Sequence, residues 1–150
     1  MKKIKLFDPF ITKQEESAIL RVLKSHFWAS GAGIENVKKF ENSFRKYANC
    51  NQCIAVNSGT AALHLALSLF DLKGKEVILP SMTFVATAHA VVLNGGKPVF
   101  SEIEEETLCL DPEKIHEKIN SKTKVILPVH FGGMPCNLES FQKICRISLS

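Results

Sequence analysis

No stretch of this 150-residue chain is long and apolar enough to cross a bilayer as a helix. The start, MKKIKLFDPF, is charged, but no apolar region or small-residue cleavage site follows, so it does not read as a secretory leader. Basic runs interleaved with aromatics are also missing. The lysines are spread along the chain and the net charge of +4 is modest, which leaves a nucleic-acid partner without support. The five cysteines are an odd number without framework spacing, as expected of free thiols in a reducing cytoplasm. There is no internal repeat or low-complexity segment. What is present, 45% hydrophobic and 23% charged residues, suits a globular chain long enough to bury one core.

The pattern divides near residue 50. Residues 12–28 read as a helix, with Thr12 as cap, Glu15 three positions on as in a capping box, and Ile19, Val22, Leu23 and Phe27 on one face. The stretch ASGAGIEN breaks it, and a second helix runs from Ile34 to Tyr47 with Val37, Phe40 and Phe44 on one side. This makes residues 1–50 an N-terminal helical arm. Strands and helices then alternate: strand Ile54–Val56, helix Thr60–Phe70, strand Glu76–Leu79, helix Thr83–Leu93, strand Pro98–Phe100, a helix opened by Asp111-Pro112 and running to Ile119, and strand Lys124–Val129. The strands are short, β-branched and not alternating, as strands buried on both faces are. The expected class is α/β with a mainly parallel sheet and flanking helices.

A strand that ends on Asn57-Ser58-Gly59-Thr60 and feeds a helix directly leaves amide hydrogens and a helix dipole facing outward, which together make an anion site. Gly59 permits close backbone approach or a positive φ, and Ser58 and Thr60 add hydroxyls. The plainer alternative is that Ser58 or Thr60 only caps a structural helix. In a parallel sheet, ligands bind outside the carboxyl ends of the strands. PSMTF (Pro80–Phe84) and PVHFGG (Pro128–Gly133) would share that rim with NSGT. Together they would place a phosphate cradle, the Phe84 ring and the His130 imidazole near one another, a set that suits a flat phosphorylated cofactor.

The segments VNSGTAALHLAL, EVILPSMTFVATAHAVVLNGGKPVF and LDPEKIHEKINSKTKVILPVHFGGMP resemble the DegT/DnrJ/EryC1/StrS sugar aminotransferases, pyridoxal-phosphate enzymes of the aspartate-aminotransferase fold. The similarity runs from about Lys5 to about Cys145. It implies a partial large domain of PLP fold type I over residues 51–150, with the C-terminal part of that domain and the small domain missing. It implies that Ser58, Gly59, Thr60 and the Ala61 backbone hold the phosphate of pyridoxal 5'-phosphate and that Phe84 stacks on its ring. It sets His130 and Gly33 near the substrate. The partners implied are a nucleotide-linked keto sugar, an amino-acid donor such as glutamate, and a second copy of the chain in a homodimer.

The family's Asp that pairs with the pyridine nitrogen and its Schiff-base Lys have no counterpart here, so no catalytic residue is assigned. Lys122, Lys124 and Lys143 do not match that lysine and read as surface residues. The closing RISLS departs from the family pattern, so the expectation is a truncated or frameshifted chain, inactive alone and at most a weak cofactor binder. One alternative is a non-catalytic fragment that binds phosphate-bearing ligands or a partner. Another is an unrelated α/β phosphate-binding module.

Other residues take plainer readings. Cys50 and Cys53 have metal or redox spacing, but a zinc site needs two more ligands and Cys109, Cys136 and Cys145 are scattered, so they read as ordinary thiols. His64 lies on a polar helical stripe, His89 reads as packed, and His26 and His116 as exposed. Glu102, Glu104, Glu105 and Glu106 read as a solvated loop, with Glu102 at the rim.

Overall fold

The computed structural model describes residues 5, 7–26, 28 and 34–148. The chain divides into two compact units, one up to Ala55 and one from Val56 onward.

The first unit is built on α1 (Lys13–Ser25) and α2 (Ile34–Tyr47). Thr12 caps α1 as the sequence requires. Its side chain accepts from the Gln14 amide at 3.1 Å, and the Glu15 carboxylate accepts from the Thr12 amide at 2.7 Å. The end of α2 is a Schellman turn with Asn49 in the left-handed region at φ 50°. Cys50 N–H donates to the Arg45 carbonyl at 3.1 Å and Asn49 N–H to that of Lys46 at 3.3 Å. No residue of α1 is buried, and Val37, Phe40 and Phe44 on α2 remain exposed.

The second unit holds α3 (Gly59–Leu67), β1 (Glu76–Pro80), α4 (Val85–Leu93), β2 (Lys97–Ser101), β3 (Thr123–Ile126) and α5 (Leu138–Ser148). The strands form a sheet in the order β2-β1-β3, and both pairings are parallel. All five residues of the central strand β1 are buried, which explains its unbroken apolar run. On one face Val77 packs with Leu67, Leu72, Ala90 and Val91 from the α3 and α4 side. On the other, Ile78 packs with Leu110, Ile115, Phe141 and Ile144. Helices thus cover both faces, the layered arrangement expected of this pattern.

The strand expected at Ile54–Val56 does not form. No strand lies beside it among the described residues, and Ile54 is 73% exposed. The helix expected from Asp111 to Ile119 shrinks to a 3₁₀ turn, Lys114–Glu117. Its Asp111 carboxylate accepts from the Glu113 amide, two residues on, at 2.8 Å. This local turn competes with a full helical start. The helix α5 was not anticipated. Asn137 caps it by accepting from the Ser140 amide at 3.2 Å, and Phe141 and Ile144 bury its inner stripe. His89 is exposed rather than packed, because α4 turns Ala86, Thr87, Ala90 and Val91 inward. No helix among the described residues is long and apolar enough to cross a membrane.

Candidate functional site

The connections decide which turns meet. The α3 helix leads through residues 68–75 to the start of β1, so it runs opposite to the strands and its first turn lies at their carboxyl ends. The start of α4 follows the end of β1, and Pro128–Gly133 follows β3, so both share this rim.

At the first turn of α3, Ser58 is extended (φ −161°, ψ 159°) and its Oγ accepts from the Ala61 amide at 3.1 Å. The Ala62 amide donates to the Ser58 carbonyl at 3.0 Å. Ser58 is therefore the helix cap of the plainer reading, and Ala61 N–H is already engaged. The amides of Gly59 and Thr60 precede the first intrahelical bond and have no helical acceptor. Asn57, Ser58, Gly59 and Thr60 are all exposed. Gly59 has no positive φ, and a Cβ built on it would meet nothing within 4 Å. Neither backbone strain nor crowding within this chain requires glycine at that position.

Phe84 occupies the cap position of α4 without a side-chain cap bond, and the residue is 75% exposed. Behind it, the hydroxyls of Thr83 and Thr87 lie 2.8 Å apart and tie the turn to the helix. Glu102 is exposed just beyond β2, where its carbonyl accepts from Asp111 N–H at 3.1 Å.

His130 is held by a loop that folds back on itself. Gly132 (φ 59°) and Gly133 (φ 88°) adopt left-handed conformations open to glycine, and the chain returns so that Cys136 N–H donates to His130 Nδ1 at 3.0 Å. A backbone N–H can only donate, so Nδ1 is an acceptor and the neutral ring carries its proton on Nε2. The imidazole is exposed. The role of Cys136 in holding it was missed from sequence, although the close spacing of His130, two glycines and Pro135 signals such a reversal. The Cys136 thiol is buried and donates to the Val129 carbonyl at 3.1 Å. Burial, together with the neighbouring Cys109 thiol, pushes its pKa up to about 11, which keeps it protonated and unreactive.

The arrangement offers two free amides, two hydroxyls, an aromatic face and an imidazole N–H donor along one rim. It can hold an oxyanion and a flat ring. Gly33 lies outside the described residues. Among the described residues no cluster of histidine, cysteine or carboxylate side chains could hold a metal ion.

Comparison with known proteins places the chain in a family. Residues 9–148 match the model of the DegT/DnrJ/EryC1/StrS aminotransferase family. GDP-perosamine synthase of Vibrio cholerae is 35% identical over 143 residues, which are 95% of this chain and 38% of that protein. An aminotransferase of Psychrobacter cryohalolentis superposes with a TM-score of 0.89 at 36% identity, over 94% of this chain and 36% of its own. The PLP form of a sugar aminotransferase assigned by inference in Streptococcus pneumoniae, Spr1654, gives a TM-score of 0.86 at 30% identity, over 95% of this chain and 36% of its own. The chain thus spans well under half the length of these relatives. An unrelated phosphate-binding module, the remotest alternative read from sequence, is removed by the family match.

Proposed function

The chain belongs to the DegT/DnrJ/EryC1/StrS aminotransferase family, and from that premise we propose that it is the part of a sugar aminotransferase that cradles the phosphate of pyridoxal 5'-phosphate. In this reading the Gly59 and Thr60 amides and the Ser58 and Thr60 hydroxyls take the phosphate oxygens. The Phe84 ring lies against the pyridine, and His130 Nε2–H points toward substrate. When bound, the cofactor supplies a ring that delocalises charge developing at the carbon bearing the amino group. The substrates proposed for the whole protein are a nucleotide-linked keto sugar and an amino-acid donor such as glutamate, in the cytoplasm, with the enzyme as a homodimer. The supporting observation is Gly59: it is a glycine with no positive φ and open space where its side chain would be, so a ligand has room to come against the backbone.

We further propose that these 150 residues by themselves do not transfer amino groups. Lys73, Lys75, Lys97, Lys122 and Lys124 belong to the amino ends of the strands, away from the rim. Lys114 and Lys118 lie at the 3₁₀ turn and Lys143 on α5. No lysine among the described residues of this unit belongs to the rim turns. Incubation with pyridoxal phosphate, glutamate and a keto-sugar nucleotide is expected to yield no amino sugar, and measurable transfer would overturn this. Titration with pyridoxal phosphate, followed by amide resonances, is expected to shift Gly59 and Thr60 most. A few exposed hydrogen bonds to phosphate correspond to an affinity of about 1 mM, or roughly −4 kcal/mol. Largest shifts elsewhere, with Gly59 and Thr60 unmoved, would refute the cradle.

A non-catalytic, partner-binding role is the second reading. It is favoured by β3, which pairs only with β1 and leaves its other edge unpaired among the described strands.

A further inference from the structure

Five cysteines are distributed unevenly in accessibility. Cys109 and Cys136 are buried in the core beneath β1, and Cys145 is half-buried on α5. Cys50 is exposed and Cys53 half-buried, three residues apart. Spacing alone left these two as ordinary thiols, but the structure adds how their turn is held.

Both ends of the turn are fixed to α2. Cys50 N–H closes the Schellman turn on the Arg45 carbonyl at 3.1 Å. Beyond Cys53, Ala55 N–H donates to the Glu41 carboxylate at 2.9 Å. The chain bends at Asn51 between them. The Cys50 thiol curls back across this bend and donates to the Gln52 carbonyl at 3.1 Å. That carbonyl belongs to the peptide unit whose nitrogen is that of Cys53, so the Cys50 sulfur already lies against the backbone of its potential partner. Cys53 in turn lines a cleft of about 250 Å³ with Lys38, Glu41, Asn42, Arg45 and Gln52.

We propose that Cys50 and Cys53 form a reversible redox modification site that reacts with low-molecular-weight disulfides of the glutathione type. The exposed Cys50 thiolate attacks one sulfur of the small disulfide, forming a mixed disulfide and releasing one small thiolate. The Cys53 thiolate then attacks the Cys50 sulfur, forming the Cys50–Cys53 bond and releasing the second small thiolate. The two protons lost from the cysteines end on the two released thiols. Two protein thiols are oxidised and one small disulfide is reduced. In a reducing compartment such a bond is transient, as redox-responsive disulfides are.

The test uses the full chain. It is incubated with oxidised glutathione, the remaining thiols are alkylated, and the protein is digested with trypsin. The peptide running from Tyr47 to Lys73 carries Cys50 and Cys53 and no other cysteine. Wild-type protein is expected to give this peptide lighter by two hydrogens and unalkylated, with reversal by dithiothreitol. Cys53→Ser is expected to retain one glutathione on Cys50. Cys50→Ser is expected to react at least about tenfold more slowly, because the half-buried Cys53 must then attack alone. A wild-type peptide that stays fully alkylated, or that holds glutathione without forming the internal bond, would overturn the proposal. Cys109 and Cys136 free of glutathione in the same digest would show that the chain stayed folded.

Discussion

Single residues carry the difference between fold and function here, and glycine shows it most clearly. Gly59 and Gly96 look alike in sequence, but their surroundings differ. A Cβ on Gly96 would lie 3.1 Å from Val91 Cγ1, 3.2 Å from Leu72 Cβ and 3.3 Å from the Val91 carbonyl. Gly96→Ala is therefore expected to cost about 1–3 kcal/mol through overpacking, read as a lower urea midpoint. Gly59→Ala meets open space in an ordinary conformation and is expected to leave stability unchanged or raise it by up to about 1 kcal/mol. The same substitution should weaken phosphate binding, because the new methyl stands where an oxyanion would approach. A Gly59→Ala variant that loses stability and keeps its phosphate response would reverse this assignment. The sequence could name both glycines but not separate them, because what separates them is how closely the folded chain packs against each: Val91 and Leu72 crowd Gly96, and nothing lies within 4 Å of the Gly59 position.

Among the elements, legibility follows how local the determinants are. The Thr12–Glu15 cap of α1 and the buried run of β1 depend on adjacent residues, and both appear where the sequence places them. Ile54–Val56 has the composition of a strand, but a strand also needs a neighbour, and composition does not supply one. The α5 stripe rests on Phe141 and Ile144, two apolar positions three residues apart, which is too short a period to mark a helix without the core they pack into. The amino ends of the strands are joined by a polar contact that no local pattern reveals. The Glu76 carboxylate accepts from Asn120 Nδ2 at 2.8 Å and pairs with Lys97 Nζ at 3.0 Å, so β1 is tied to β2 and to the turn before β3. The Asn120 hydrogen bond, and then that of Lys97, hold the Glu76 pKa below its ordinary value. The folded state therefore binds this proton less readily than the unfolded chain does. Its contribution is fully present above the unfolded glutamate pKa of about 4.3 and is lost as pH falls through the lower folded value. Glu76→Gln is expected to flatten the acid side of the stability–pH curve, measured by urea unfolding at a series of pH values. An unchanged slope would mean that other carboxylates set it.

At the scale of the whole molecule, the question is what covers the apolar surface that this chain leaves open. Helices of 13 and 14 residues are marginal in water unless a face is packed. Yet Ile19, Leu20 and Leu23 on α1 and Val37, Phe40 and Phe44 on α2 are each about half exposed or more. The Phe40 and Phe44 rings lie tilted against each other with centroids 5.8 Å apart, a preformed aromatic stripe rather than scattered side chains. Sequence periodicity revealed these stripes, but it cannot show what lies opposite them, since amphipathicity marks a face and not its partner. The homodimer proposed above offers a concrete covering, because a second copy brings equivalent apolar surface to a symmetric contact. Sedimentation should then show the wild-type chain moving from monomer to dimer with rising concentration. The double variant Phe40→Glu, Phe44→Glu removes apolar area from exposed positions and adds like charge. It is expected to stay monomeric while keeping the thermal transition of the Val56–Ser150 unit, whose core contains neither residue. A wild-type chain that remains monomeric at every concentration, or a double variant that associates as the parent does, would place the stripe outside any contact between copies.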